Sequence, residues 1–170
     1  MSGRISVDEA HRPEFKFYRL VPPRDSEYAR EGSQAGDPVM VEEPRVPPPD
    51  HVIKGEDLVT PRVPLAPSIW HAIAGLGGHM TPDDLRDDNW NLEDAAGRCH
   101  EWHIYGARSD VGVLSGSKIE ALVPDAKYTG EAWGTQAVEL ELIGQLGGDF
   151  GPDGDYYVWV YGDKPHLWER

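Results

Sequence analysis

Apolar and polar positions alternate most regularly late in the chain, where Val138, Leu140 and Leu142 are separated by Glu139 and Glu141. A period of two predicts a half-buried strand. Tyr156, Val158 and Val160 against Tyr157, Trp159 and Tyr161 predict a closing strand with apolar character on both faces. Between the two, residues 147–154 (Gly-Gly-Asp-Phe-Gly-Pro-Asp-Gly) have the composition of a turn. Shorter apolar runs predict strands over 99–105, 110–114 and 118–124. Near the start, residues 14–21 predict another, with Phe15, Phe17 and Arg19 on one face and Lys16, Tyr18 and Leu20 on the other. Residues 57–63 predict a strand interrupted by Pro61, hence bulged or close to an edge.

The period changes to that of a helix at two places. Ile69, Ala72 and Ile73 lie at i, i+3 and i+4, an apolar stripe that predicts a short helix packed on a sheet. Ser68 is placed to cap its start, and Gly75 with Gly77 and Gly78 to end it. Thr81-Pro-Asp-Asp84 carries a capping threonine, a proline at the first helical position and acids at the positive end of the dipole. One or two short helices are expected from there to Gly97. The fold class is therefore α+β: bent antiparallel sheets with short early helices.

Residues 1–12 read as a flexible leader and 13–170 as a single domain containing a Pro-rich arm or loop at 22–50. That segment holds Pro22, Pro23, Pro38, Pro44 and the run 47–49, and only residues 38–42 could form a short strand. Proline removes ladder donors and favours extended backbone. A connection this long is either a surface loop or an arm ordered by a partner or folded over a pocket.

Charge narrows the partners. The chain of 170 residues has 30 acidic against 16 basic residues, a net of −14, which disfavours direct binding to nucleic acid or an anionic membrane. It permits a basic protein partner, and the acids of 83–94, relieved only by Arg86 and Arg98, are a candidate patch for one. The single cysteine, Cys99, excludes an internal disulfide framework. No apolar run approaches the length of a membrane helix. The chain reads as soluble and cytoplasmic, or as part of an intracellularly assembled particle.

No metal site is expected. In a strand, His100 and His103 point to opposite faces, and Asp149, Asp153 and Asp155 lack the closing glutamate of a calcium loop. Six tryptophans are expected mainly as packing, with one or two lining a cleft.

One arrangement points to chemistry: Tyr18-Arg19 ending a first strand, Pro67-Ser68-Ile69 opening a helix after a strand, and Glu131 in Thr129-Gly-Glu-Ala-Trp133 ahead of a late strand. In that order the chain resembles the small ADP-ribosyltransferase fold over roughly residues 14–146. The resemblance implies NAD as substrate, bound in a cleft between two bent sheets. Arg19 would hold the phosphates, Ser68 would orient the nicotinamide ribose, and Glu131 would stabilise the oxocarbenium-like centre. Tyr18, Trp70 and Trp133 would lie against the cofactor. Two departures bear on catalysis more than on fold. Residues 66–68 read Ala-Pro-Ser where the family usually has Ser-Thr-Ser, and Thr129 stands where Glu or Gln usually positions the acceptor. The residues also fit a second class, a non-catalytic interaction or assembly protein such as a virus particle component or an inhibitor. That protein would bind its partner through 22–50 and the acidic face.

Overall fold

A computed structural model describes residues 3–47, 55–77 and 81–162. The chain runs β1 (Arg4–Ser6), α1 (Val7–Ala10), β2 (Phe17–Val21), β3 (Val39–Glu42), β4 (Val63–Leu65), α2 (Ile69–Gly77), α3 (Pro82–Asp87), α4 (Asn89–Cys99), β5 (His103–Ala107), β6 (Val113–Leu114), α5 (Ser117–Glu120), α6 (Ala126–Thr129), β7 (Ala132–Gly134), β8 (Val138–Phe150) and β9 (Tyr156–Tyr161). The fold is α+β and every strand pairing is antiparallel.

The large sheet has the order β1-β9-β8-β5-β2, with β3 also on β8; the small sheet has the order β4-β7-β6. β8 organises the large sheet. Its first part pairs with β3 and β5 and its second with β9, and the register shifts between Ile104 and Tyr105 where the change occurs. Gly144 sits at that bend, where an added Cβ would stand 1.9 Å from the Tyr161 carbonyl oxygen. Only glycine lets the strands come that close.

Three apolar layers hold the sheets. Against one face of the large sheet pack α1, α2, α3 and α4, through Val7, Ile69, Ile73, Leu85, Leu92 and Cys99 onto Leu20, Ile104, Ile143 and Leu146. Val63, Leu65 and Ala132 of the small sheet join Val21, Met40, Tyr105, Leu140 and Leu142 of the large one in a second layer. Trp133, on the other side of β7, packs with Ile119, Val123 and Ala126. The sheets also meet edge to edge: Tyr18 and Ala66 exchange both backbone hydrogen bonds, at 2.7 and 2.9 Å.

The described part of the leader, residues 3–12, forms β1, paired with β9, and α1, which opens with a Ser6–Glu9 capping box and buries Val7 and Ala10. Of the Pro-rich segment, the described residues 22–47 are tied to the large sheet at two places and to Arg62, just ahead of β4, through Arg45. β3 pairs with β8, and Tyr105 Oη accepts from the Gly36 N–H and donates to the Asp37 carbonyl. Residues 48–50 of that segment lie outside the described residues.

Several expected strands are something else. Asp57 accepts from the backbone N–H groups of Val59 and Thr60, turning 57–60, so Leu58 and Val59 face outward and β4 begins only at Val63. Cys99 ends α4, its thiol donating to the Ala95 carbonyl, and β5 starts at His103. Residues 118–124 are partly helical, because Ile119, Val123 and Ala126 must reach one apolar layer. The glycines at 147 and 148 continue β8 rather than turn it, since the rings of Trp159 and Tyr156 occupy the space a Cβ would take.

Candidate functional site

At the corner where the sheets join lies a cleft of about 360 Å³, walled by β2, β4, α2 and the turn before β7. Arg19, Glu56, Arg62, His71, Thr129 and Glu131 supply its polar lining, and Leu20, Leu65, Ala72 and Leu76 much of its apolar lining. Two pairings place these groups together. β4 and β7 pair Leu65 with Ala132, so the chain leaving β4 towards Ser68 runs beside the chain arriving from Glu131. The Tyr18–Ala66 bridge sets Arg19 next to both. Gly130 closes the turn at φ 73°, where a Cβ would strike Pro67 at 2.9 Å.

Glu131 lies partly buried in this turn and accepts a 2.6 Å hydrogen bond from the Trp133 indole N–H. Burial pushes its carboxyl above the usual range, the Trp133 bond lowers it, Glu56 and Asp125 raise it further and Arg62 lowers it. Arg62 is buried beside it, 3.9 Å above the Trp133 ring, and donates to Glu56 at 2.5 Å and to the carbonyls of Asp57 and Thr60. Because that guanidinium is paired and hydrogen-bonded, a buried charge is tolerated.

Ser68 caps α2. Its Oγ accepts from the His71 backbone N–H at 3.0 Å and lies 2.6 Å from the His71 Nδ1. Burial, then His11 and Arg86, holds the His71 ring below the ordinary histidine range, with Asp83 opposing. A neutral ring accepting the serine proton at Nδ1 carries its own proton on Nε2 and can donate there. α1 braces the same helix end: the His11 Nε2 accepts from the Ile69 N–H at 3.0 Å, and its Nδ1 lies 3.1 Å from the Val7 carbonyl.

Arg19 and Glu131 thus line one cleft, and Ser68 stands one residue behind it, joined through His71. Tyr18 lines the cleft with a buried side chain whose hydroxyl exchanges hydrogen bonds with the Arg12 backbone. Trp133 is fully buried beneath Glu131 and offers a ligand no ring face. Trp70 stands outside the lining, its indole N–H donating to Asp8 and its ring under Arg86. Sequence reasoning missed His71, Arg62 and Glu56 as lining residues. The serine and histidine spaced i, i+3 across a helix start carried a signal for the first, because that spacing turns one side chain back onto the other.

Among the described residues no three His, Cys, Asp or Glu side chains come together to hold a metal ion. No helix among them is long and apolar enough to cross a membrane. Compared with protein-family models, curated proteins and solved structures, the chain matches none.

Proposed function

We propose that the corner cleft binds NAD and cleaves its nicotinamide–ribose bond, as the resemblance to the ADP-ribosyltransferase fold implies. What carries the reading is that Arg19 and Glu131, distant along the chain, line one cleft with the helix that Ser68 opens forming a wall. A volume of about 360 Å³ suits the nicotinamide riboside end of a dinucleotide, leaving the remainder over the rim. In the reaction the C1′–N bond breaks and its electron pair stays on the nicotinamide nitrogen. The ionised Glu131 then faces the positive charge developing on the ribose, a fixed carboxylate in a site partly shielded from water. Water, or a nucleophilic acceptor, adds at C1′ and gives up its proton. With Ser68 donating to its Nδ1, a neutral His71 would carry its proton on Nε2 and donate it to a ribose hydroxyl.

The test is nicotinamide release from NAD by the full chain. Glu131→Gln keeps an acceptor for Trp133 but loses the charge, and the rate should fall by about 100-fold or more. Wild-type activity should rise with pH through a Glu131 pKa above the usual carboxylate value, since only the ionised form serves. Release that is undiminished in Glu131→Gln, or no NAD binding at millimolar concentration, sinks the reading.

A second reading rests on Trp90, which is 73% exposed on α4 among Asp87, Asp88, Glu93 and Asp94. A large exposed ring in a stretch rich in acids, with Arg98 paired to Asp94 beside it, fits a basic protein partner, the aromatic supplying contact and the remaining acids steering. Trp90→Ala should weaken binding to a lysine-rich peptide by about tenfold at low salt; equal affinity for both proteins removes this reading.

A further inference from the structure

Next to the cleft, an acidic chain gathers arginines. Glu42 on β3 is only 6% exposed, and its Oε2 accepts from Arg19 Nη2 at 2.9 Å and from Arg30 Nη1 at 2.7 Å. Arg19 Nε is shared between both carboxylate oxygens at 3.3 Å. Three residues beyond Glu42, Arg45 is held by its backbone, which exchanges two 3.0 Å hydrogen bonds with Arg62. Its side chain is exposed. Burial holds Arg30 below the ordinary arginine range; Glu42 opposes that, and the nearby charges of Arg45 and Arg19 add to it. Arg62 is balanced separately by Glu56. Arg19 and Arg30 therefore meet on Glu42, and Arg45, its backbone fixed against Arg62, brings a third positive charge that Arg30 feels, in a protein whose net charge is −14.

A guanidinium has five N–H donors. Glu42 engages Nε and Nη2 of Arg19 and Nη1 of Arg30, leaving Arg19 Nη1 and Arg30 Nε and Nη2 to donate elsewhere. The geometry points to an anion site: we propose that Arg19, Arg30 and Arg45 form a rim that binds the diphosphate of the cleft's ligand. Glu42 acts as a positioning residue, fixing two of the forks so that they meet phosphate oxygens without first being ordered. The identity of the ligand as NAD rests on the proposed function above; the anion site does not.

The experiment is calorimetric titration of the full chain with inorganic pyrophosphate, ADP-ribose, NAD and nicotinamide riboside at low and at physiological salt. Arg30→Gln and Arg45→Gln are compared with the wild type, and the exposed Arg45 side chain makes the second variant safe for folding. Each substitution should weaken pyrophosphate and ADP-ribose binding by roughly tenfold, and added salt should weaken the wild type most. Nicotinamide riboside, which has no phosphate, should bind all three proteins equally. Pyrophosphate binding that is absent from the wild type, or as tight in both variants as in the wild type, overturns the anion site. NAD binding insensitive to both substitutions overturns it while leaving the NAD reading intact. Pyrophosphate binding that the variants weaken, in a chain with no affinity for NAD, upholds the anion site and removes the NAD reading.

Discussion

The helix-covered face of the large sheet and the corner where the two sheets meet are built by opposite means. Under α2 and α4 the packing is apolar, with Ile69, Ile73, Leu85 and Ile104 fully buried. At the corner, chain from four parts of the sequence converges on charged groups, Arg62 and Glu42 buried and Glu131 partly so, held by hydrogen bonds rather than by packing alone. The first region makes the second possible. A polar corner keeps its shape only when a wall of it, here α2, is anchored by its other face in a close-packed layer.

The comparison breaks first at the apolar layer. Ile73→Ala leaves a cavity where nothing can relax easily and should cost about 2–5 kcal/mol in denaturant titration. A loss below ~1 kcal/mol would mean that the layer is loosely packed and cannot brace the cleft. A smaller effect belongs to the seam between the regions. Ser68→Ala removes the cap of α2 and the partner of His71, and about 1 kcal/mol should be lost in the same measurement. An unchanged midpoint would show that the His11 contact alone holds the helix end.

The smallest effect has the opposite sign. The Glu131 carboxyl is raised in the fold, so the folded state binds its proton more tightly than the unfolded chain does. Its contribution is therefore favourable at low pH and is lost as pH rises from the unfolded value through the raised one. Glu131→Gln removes that dependence. The variant should be slightly more stable than the wild type at pH 7, by less than the Ser68→Ala loss, with the gain gone at pH 4. A variant less stable at pH 7 would show that the carboxylate supports the fold through Arg62 and Trp133 rather than straining it.

The two regions also differ in how far they can be read from residues alone. Ile69, Ala72 and Ile73 declare α2 because an apolar stripe has only one periodicity to satisfy, and Thr81-Pro82 declares α3 by cap chemistry. Val138 to Leu142 and Tyr156 to Tyr161 declare their strands for the same reason. One misreading arises where two periods fit one run. Ile119, Ala121 and Val123 alternate like a strand, yet Ile119 and Val123 are also a helical i, i+4 pair, and packing beside Trp133 selects the helix. At the corner, Arg19 and Glu131 could be named from their order along the chain. Arg62, Glu56 and Arg30 could not, because their placement depends on which strands pair, and no local pattern encodes that.

Arg4 is joined to Tyr161 across β1 and β9, and the Gly162 N–H donates to the Gly3 carbonyl at 2.9 Å. On the ribosome, β1 emerges well before β9, to which it pairs. β1 must wait, unzipped, until β9 is made, so the large sheet cannot close in the order of its synthesis. Completion of the large sheet is then a late and slow event, and a nascent chain stalled before β9 would expose an open edge on β8 to its neighbours.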